Sequence, residues 1–425
     1  MSSSNIINFC LGIQDKNLTF LENNFEIRTI KNRKVKVFHA LVTQKHCNCP
    51  HCNSVDVVKN GTKPSLIKII PIQEYETYIQ VHRQRFKCKT CGKTFSAQSN
   101  FVMHRARISY TLKLAIAQKL KVKISLKDIA KEYKVSITTV QRVMNKFYQI
   151  KKKELISLPE NICIDEFKST ADADGTMSCI LANADTKKAI EILENRKLDS
   201  LIEYFARYSL EERNKVKTIC MDIYAPYMSL AAKMFPKAKI ILDRFHIINL
   251  INRALNKTRI RVMNSLENST LKKMLKAEWQ LFLKDSNNLC STRYYYSRLK
   301  GMYSSLEKVE YMLKKTNGIR EEYDIYQILQ FALKYNNFNL FVSTVDKGLK
   351  MKEIISQNML VSLKTLKKYM NYIKNTMDIS ITNGVIEGIN NKIKVIKRIA
   401  FGYRNFDNLK KRFFIINGIL NLQVN

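Results

Sequence analysis

The chain has 425 residues, of which 45% are hydrophobic, with 11 glycines, 6 prolines and no low-complexity tract; this excludes a disordered or fibrous protein and leaves room for several packed domains. Lys and Arg number 73 against 36 Asp and Glu, a formal charge of +37, so a compact fold repels itself unless a polyanion neutralises it; nucleic acid is the partner to expect, the alternative being a coding bias towards lysine. No apolar run reaches the roughly 18 residues of a bilayer span, and the start Met1-Ser2-Ser3-Ser4-Asn5 lacks the basic and apolar stretches of a signal peptide, so a cytoplasmic, nucleoid-associated protein without membrane contact and with reduced cysteines is expected.

Cysteines cluster in residues 1–100. Cys49-Pro-His-Cys52 and Cys88-Lys-Thr-Cys91 are two knuckles, each able to offer two thiolates to one tetrahedral zinc ion. Between them Leu66, Ile67, Ile69 and Ile70, then Tyr78, Ile79 and Val81, read as the strands of a β-hairpin, the arrangement of a zinc ribbon. Four cysteines leave no open coordination position, so the zinc is structural. Cys47, His46 and His51 lie close by; only Cys49 has the right spacing to Cys52.

Residues 101–152 change to a helical period. Ile108, Leu112, Leu114, Ile116 and Leu120 share one face. Ser125 caps a second helix, with Asp128 three residues on, and Ser136 caps a third that runs to about Phe147. Ile129, Val135, Val140 and Val143 are the expected common core. This is the pattern of a helix-turn-helix whose last helix enters the DNA major groove and presents Thr138, Thr139, Gln141, Arg142 and Lys146, Arg suiting guanine and Gln adenine. An ordinary helical hairpin has the same pattern.

From residue 153 to about 250 the apolar runs read as strands. Asn161–Phe167 ends in Asp165-Glu166, Val216–Asp222 ends in acid, and Lys239–His246 contains Asp243. Strands at 177–184 and 188–193 and helices at 198–208 and 224–235 complete the order of a ribonuclease-H-like domain. That order sets the first and fourth strands side by side, so Asp165 and Asp222 become neighbours that need a cation between them. A pair of Mg²⁺ ions, with Mn²⁺ as a substitute, would make this a phosphoryl-transfer site. Residues 251–375 read as an all-helical insertion with Trp279 and Tyr294-Tyr295-Tyr296, aromatics that serve either as core or as platforms for unpaired bases. In the final segment, 376–425, Glu387, Asn391, Lys394 and Arg398 follow one polar line of a helix, opposite Ile386, Ile389, Ile393 and Ile396. Glu387 is the candidate third carboxylate, unless it merely caps or ion-pairs its own helix, and Lys394 and Arg398 would lie along a DNA phosphate path.

Together the two knuckles, the helix-turn-helix, Ile164-Asp165-Glu166-Phe167, Asp222 with Tyr224 and Tyr227, Asp243-Arg244-Phe245-His246, and the stretch from Gly384 through Gly402-Tyr403-Arg404-Asn405 resemble the ISL-three family of bacterial insertion-sequence transposases. The resemblance implies a multidomain α+β protein: zinc ribbon, helix-turn-helix, and a ribonuclease-H-like α/β core interrupted by a helical insertion. It also implies a DDE-type enzyme that binds the inverted repeats of its element as double-stranded DNA, cuts them and joins them to a target, working as a homo-oligomer. By motif position Asp165, Asp222 and Glu387 match the catalytic, Mg²⁺-binding triad; Asp243 is either a supporting ligand or an anchor for Arg244 and His246. A domesticated DNA-binding regulator and a structure-specific nuclease of the same fold are the competing readings.

Overall fold

In the computed structural model, residues 3–44, 47–101, 107–150, 157–267, 269–381 and 383–423 are described, and the chain divides into two units, residues 1–153 with 393–425, and residues 154–392. Residues 393–425, expected with the core, therefore group with the N-terminal part.

In the first unit, α1 (Ser3–Cys10) is followed by β1 (Leu18–Ile30), β2 (Arg33–Val42), β3 (Val57–Lys68), β4 (Glu76–Cys88) and β5 (Thr94–Ser96). The expected hairpin between the knuckles is β3–β4. It does not stand alone: the sheet order is β1-β2-β4-β3 with β5 on β4, and β2 runs parallel to β4. Ala40, Val42, Ile67, Ile79, Val81 and Phe86 pack as its core. Three helices follow, α2 (Tyr110–Lys119), α3 (Leu126–Glu132) and α4 (Ile137–Phe147). Ser109, Ser125 and Ser136 each accept a backbone N–H at the helix start, satisfying donors that no helical carbonyl reaches. Leu112, Ile116, Leu120, Ile129, Val140 and Val143 are buried together, with Val135 at the margin.

The second unit is built on a sheet of order β10-β9-β6-β7-β8: β6 (Asn161–Lys168), β7 (Met177–Asn183), β8 (Lys188–Leu193), β9 (Thr218–Met221) and β10 (Lys239–Leu242). The first three form an antiparallel meander, while β9 lies parallel to both β6 and β10. Helices α5 (Leu198–Ala206), α6 (Leu210–Asn214) and α7 (Ala225–Met234) connect β8 to β9 and β9 to β10. The last strand is shorter than the sequence pattern suggests. Asp243 caps α8 (Arg244–Ser265), taking the Phe245 amide at 3.0 Å, so Arg244-Phe245-His246 form a helical first turn rather than strand.

Beyond α8 come α9 (Thr270–Ala277), α10 (Trp279–Leu283), β11 (Tyr294–Tyr296), β12 (Gly301–Tyr303), α11 (Ser305–Lys315), α12 (Arg320–Lys334), α13 (Phe338–Lys350), α14 (Gln357–Lys368), α15 (Met370–Asp378) and α16 (Gly384–Ile399); α17 (Phe406–Ile416) lies in the first unit. The insertion is thus not all helical: β11 and β12 pair as a small antiparallel ribbon, where consecutive tyrosines favour extended backbone. Tyr296 is buried there, whereas Tyr294 and Tyr295 are exposed. Edge strand β10 is covered by α15, whose Thr376 hydroxyl accepts the Leu242 amide at 2.8 Å while Asn375 donates to Ile240 O at 3.0 Å, an arrangement that blocks edge-to-edge pairing. On α16, Ile386, Ile389, Ile393 and Ile396 are buried, the face that the sequence period marks. Among the described residues no helix is long and apolar enough to cross a membrane.

Candidate metal centres and active site

The two cysteine knuckles are built alike. In the first, the Asn53 amide donates to Cys49 O at 2.9 Å and the Cys49 amide to Ser54 O at 2.9 Å; in the second, Gly92 donates to Cys88 O and Cys88 to Lys93 O, both at 3.0 Å. Both turns need a left-handed residue after the second cysteine, supplied by Asn53 (φ 59°) and Gly92 (φ 69°), the residue types that tolerate it. The sulfurs of Cys49, Cys52, Cys88 and Cys91 all lie within 4.8 Å of one another. Cys49 is 3.6 Å from Cys91 and Cys52 is 3.5 Å from Cys88, close to the roughly 3.8 Å edge of a ZnS₄ tetrahedron with bonds near 2.3 Å. The Cys91 amide, with the neighbouring sulfurs, pulls the Cys88 thiol down to about 6, favouring the thiolate a metal needs. Cys47 packs against the apolar core of the sheet instead, and burial pushes its thiol up. His46 lies outside the described residues; His51 contributes its backbone N–H to the Cys49 sulfur at 3.4 Å.

The acids converge at the carboxyl edge of the second sheet. Cys163 pairs with Cys220 and Met221 with Leu242, so Asp165, Asp222 and Asp243 emerge from three adjacent parallel strands. Asp222 is buried, and its Oδ1 has no hydrogen-bond partner. Burial and the charges of Asp165, Asp243 and Glu166 push its carboxyl up to about 8. Asp165 rises to about 6, chiefly through burial, against hydrogen bonds from the Glu166 amide at 2.7 Å and from Asn390. Glu166 is neutralised by Arg196, whose guanidinium also lies 4.6 Å above the Tyr224 ring.

Two residues at this edge were not singled out from the sequence as site residues. His246 Nε2 stands 3.3 Å from Asp222 Oδ2, and Asp222, Asp243 and His246 each bring a ligand atom within 4.8 Å of the others. Asn390 Nδ2 donates to Asp165 Oδ2 at 2.7 Å and to Glu166 O at 3.3 Å. Each had a positional signal: His246 stands one helical turn after Asp243, and Asn390 one turn after Glu387. Glu387 itself is exposed on α16; the contact to Asp165 is made by Asn390, about 60° further round the helix. Arg244 is not held by Asp243; it donates to Leu333 O at 2.7 Å, Asn336 Oδ1 at 2.7 Å and Thr376 O at 2.8 Å.

On α4, Thr138, Arg142 and Lys146 are exposed, whereas Thr139 and Gln141 are half-buried, and the Thr139 hydroxyl is 3.0 Å from that of Ser136. Lys394 and Arg398 are exposed on α16.

A family model for ISL3 (ISL-three) DDE proteins, described as "Transposase", matches residues 162–413, more than half of the chain. The chain belongs to the ISL-three family of DDE transposases. A second family model, "zinc-finger of transposase IS204/IS1001/IS1096/IS1165", matches residues 45–91 and takes in all four converging cysteines. Among curated proteins, the transposase for insertion sequence element IS1001 of Bordetella parapertussis is 21% identical over 366 residues, 85% of this chain and 87% of that one. A Lactococcus lactis subsp. lactis protein named "ATP-dependent protease" is 34% identical over 110 residues, 26% of this chain but only 34% of that protein. Among solved structures, the Drosophila P element transposase strand transfer complex aligns over 72% of this chain and 91% of its own at 10% identity and a TM-score of 0.36. This transposase is therefore a DNA-acting enzyme of a family that uses divalent metal, with a zinc-ribbon domain at its front.

Proposed function

We propose that this transposase binds the inverted repeats of its insertion sequence and, on a ribonuclease-H-like core, carries out Mg²⁺-dependent strand cleavage followed by strand transfer, with Asp165, Asp222 and Glu387 as the catalytic acids. The observation that carries the reading is the buried Asp222 carboxylate, with one oxygen unpartnered and two further aspartates at its side. Such a cluster is costly unless a cation completes it, and the carboxylate oxygens of Asp165, Asp222 and Glu387 are a donor set that suits Mg²⁺ or Mn²⁺. Bound there, divalent ions supply Lewis acidity towards phosphate oxygens and lower the pKa of a water or 3′-hydroxyl.

The chain's own part is positioning. The amides of Glu166 and Asn390 hold the two oxygens of Asp165 in fixed directions. Arg196 keeps Glu166 out of the competition for the cation. Glu387, one turn before Asn390 on α16, reaches in as the third acid once metal and DNA are present. In the first unit α2–α4 act as a helix-turn-helix, with Thr138, Thr139, Gln141, Arg142 and Lys146 at the bases, and Lys394 and Arg398 contact phosphates; zinc bound by Cys49, Cys52, Cys88 and Cys91 holds the ribbon. Two ends must be held together, so the active complex is a homo-oligomer, at work in the cytoplasm on the nucleoid.

The test uses oligonucleotides from the repeats flanking the gene, with Mg²⁺. Asp165→Asn is expected to abolish cleavage and joining while leaving end binding within about twofold of wild type. Cleavage that survives in this variant overturns the site. Wild-type protein that binds ends but never cuts points to a regulator, and cutting of branched DNA without joined product points to a nuclease.

A further inference from the structure

We infer that the N-terminal sheet carries a second DNA surface, a basic groove along β3 that tracks a phosphate backbone; the inference rests on the end-binding reading above. The groove has a volume of about 780 Å³ and is lined by Lys31, Lys63, Lys68, Arg83 and Arg107, with no acidic residue among its lining. Phosphate contacts by Lys and Arg dominate DNA affinity and need no base-reading geometry.

Three features separate this groove from a merely solvated lysine face. First, Lys63 lies directly opposite Arg83 in the β3–β4 register. Like charges so placed cost stability. Second, the cost is left uncompensated. Among the described residues none of Lys31, Lys63, Arg83 and Arg107 has an acidic side chain within 4.0 Å, and Arg83 finds only Ala97 O, at 3.2 Å. Lys68 alone is paired, with Glu76. Third, lysines on an edge strand also serve to block edge-to-edge pairing, but that role cannot explain Arg83, which sits on the inner strand β4, or Arg107, which lies beyond the sheet.

Arg107 is brought beside the end of β3, where the Lys68 amide donates to Arg107 O at 2.8 Å, while the Lys68 ammonium is taken up by Glu76 and by Lys134 O, so the unpaired cations of the groove among the described residues are Lys31, Lys63, Arg83 and Arg107.

The experiment compares full-length wild type with a Lys31→Asn, Lys63→Gln, Arg107→Gln triple variant by fluorescence anisotropy on a labelled repeat duplex and on a scrambled duplex, across a salt series. Asn is chosen at Lys31 because φ there is 47°. Removing three phosphate contacts should flatten the slope of log affinity against log salt by about 2.7, at roughly 0.9 per contact. Affinity should fall at least about tenfold at roughly 0.1 M salt on both duplexes, leaving the preference for the repeat unchanged. Bound zinc at the wild-type level shows that the ribbon is folded, and a Lys31→Arg, Lys63→Arg, Arg107→Lys variant should restore the slope. Wild-type slope and affinity in the neutral triple variant overturn the groove while leaving end recognition standing. A wild type with no preference for the repeat, but with the slope loss intact in the variant, upholds the groove and removes end recognition instead.

Discussion

The cysteine centre and the carboxylate centre both gather ligands at the ends of β-strands, yet they are opposite in their electrostatics. Each cysteine knuckle is a local turn that fixes two sulfurs, and in each of them backbone amides and neighbouring sulfurs already favour the thiolate of the first cysteine, Cys49 and Cys88. The aspartates come from three strands, and burial and mutual repulsion raise Asp165 and Asp222 instead of lowering them. One centre is prepared to be closed by a metal and left alone. The other holds unrelieved charge that a cation and a phosphate can discharge, which is what a reactive site requires.

The largest expected effect breaks the cysteine side of this contrast. Structural zinc contributes on the order of 10 kcal/mol to the folding of small zinc domains. Cys88→Ser should therefore eliminate bound zinc and expose the amides of residues 47–57 and 88–96 to hydrogen exchange, while the amides of β6, β9 and β10 keep their protection. Retained zinc at wild-type stoichiometry would show that the four sulfurs are not one site.

A smaller effect, of opposite sign, is expected at the acids. Asp222 rises from 3.8 to about 8 in the folded protein. A raised folded-state value means stability that is fully present below about pH 4 and lost as pH climbs towards 8. In Mg²⁺-free buffer Asp222→Asn, which cannot ionise, should escape that loss. Its unfolding free energy should exceed that of wild type by an amount that widens from pH 5 to pH 8, about a few kcal/mol at most after screening, and Mg²⁺ should close the gap by stabilising wild type alone. A gap that stays constant with pH would mean that the aspartates do not repel one another as described.

The same contrast governs what was legible in the sequence. Ligands three residues apart on a turn announce themselves by spacing, so the knuckles, and with them the β3–β4 hairpin, could be read directly. The aspartates were legible for a different reason: each ends an apolar run, and Asp165 and Asp222 meet only because β9 inserts beside β6. The pairing of β2 with β4 left no comparable mark, since parallel neighbours far apart in sequence share no turn. That residues 393–425 group with the N-terminal part left no mark in the sequence, because a helical period says which face is buried but not against what; Arg412, buried on α17, donates to Leu120 O, to Val122 O at 2.9 Å and to Ile124 O at 2.8 Å. Asn390 is not legible in this way, because the polar line from Glu387 runs through Asn391, Lys394 and Arg398 and leaves Asn390 off it.

That neglected amide offers the finest test of the contrast, because a cysteine centre has no counterpart to it. Asn390 neither carries charge nor stands in the place of a metal ligand; it orients Asp165 through one hydrogen bond of 2.7 Å. Residues that orient a metal ligand typically change affinity or activity by about 10–100-fold, well short of losing the ligand itself. Asn390→Ala should thus lower the cleavage rate within that range and raise the Mg²⁺ concentration needed for half-maximal rate, with end binding unchanged. Asn390→Asp should be worse than alanine at low Mg²⁺, because it adds a carboxylate against Asp165 in an already acidic pocket, and should recover more steeply as Mg²⁺ is raised. A uniform loss in both variants with no change in Mg²⁺ requirement would assign Asn390 to the packing of α16 and leave the orientation of Asp165 to the Glu166 amide alone.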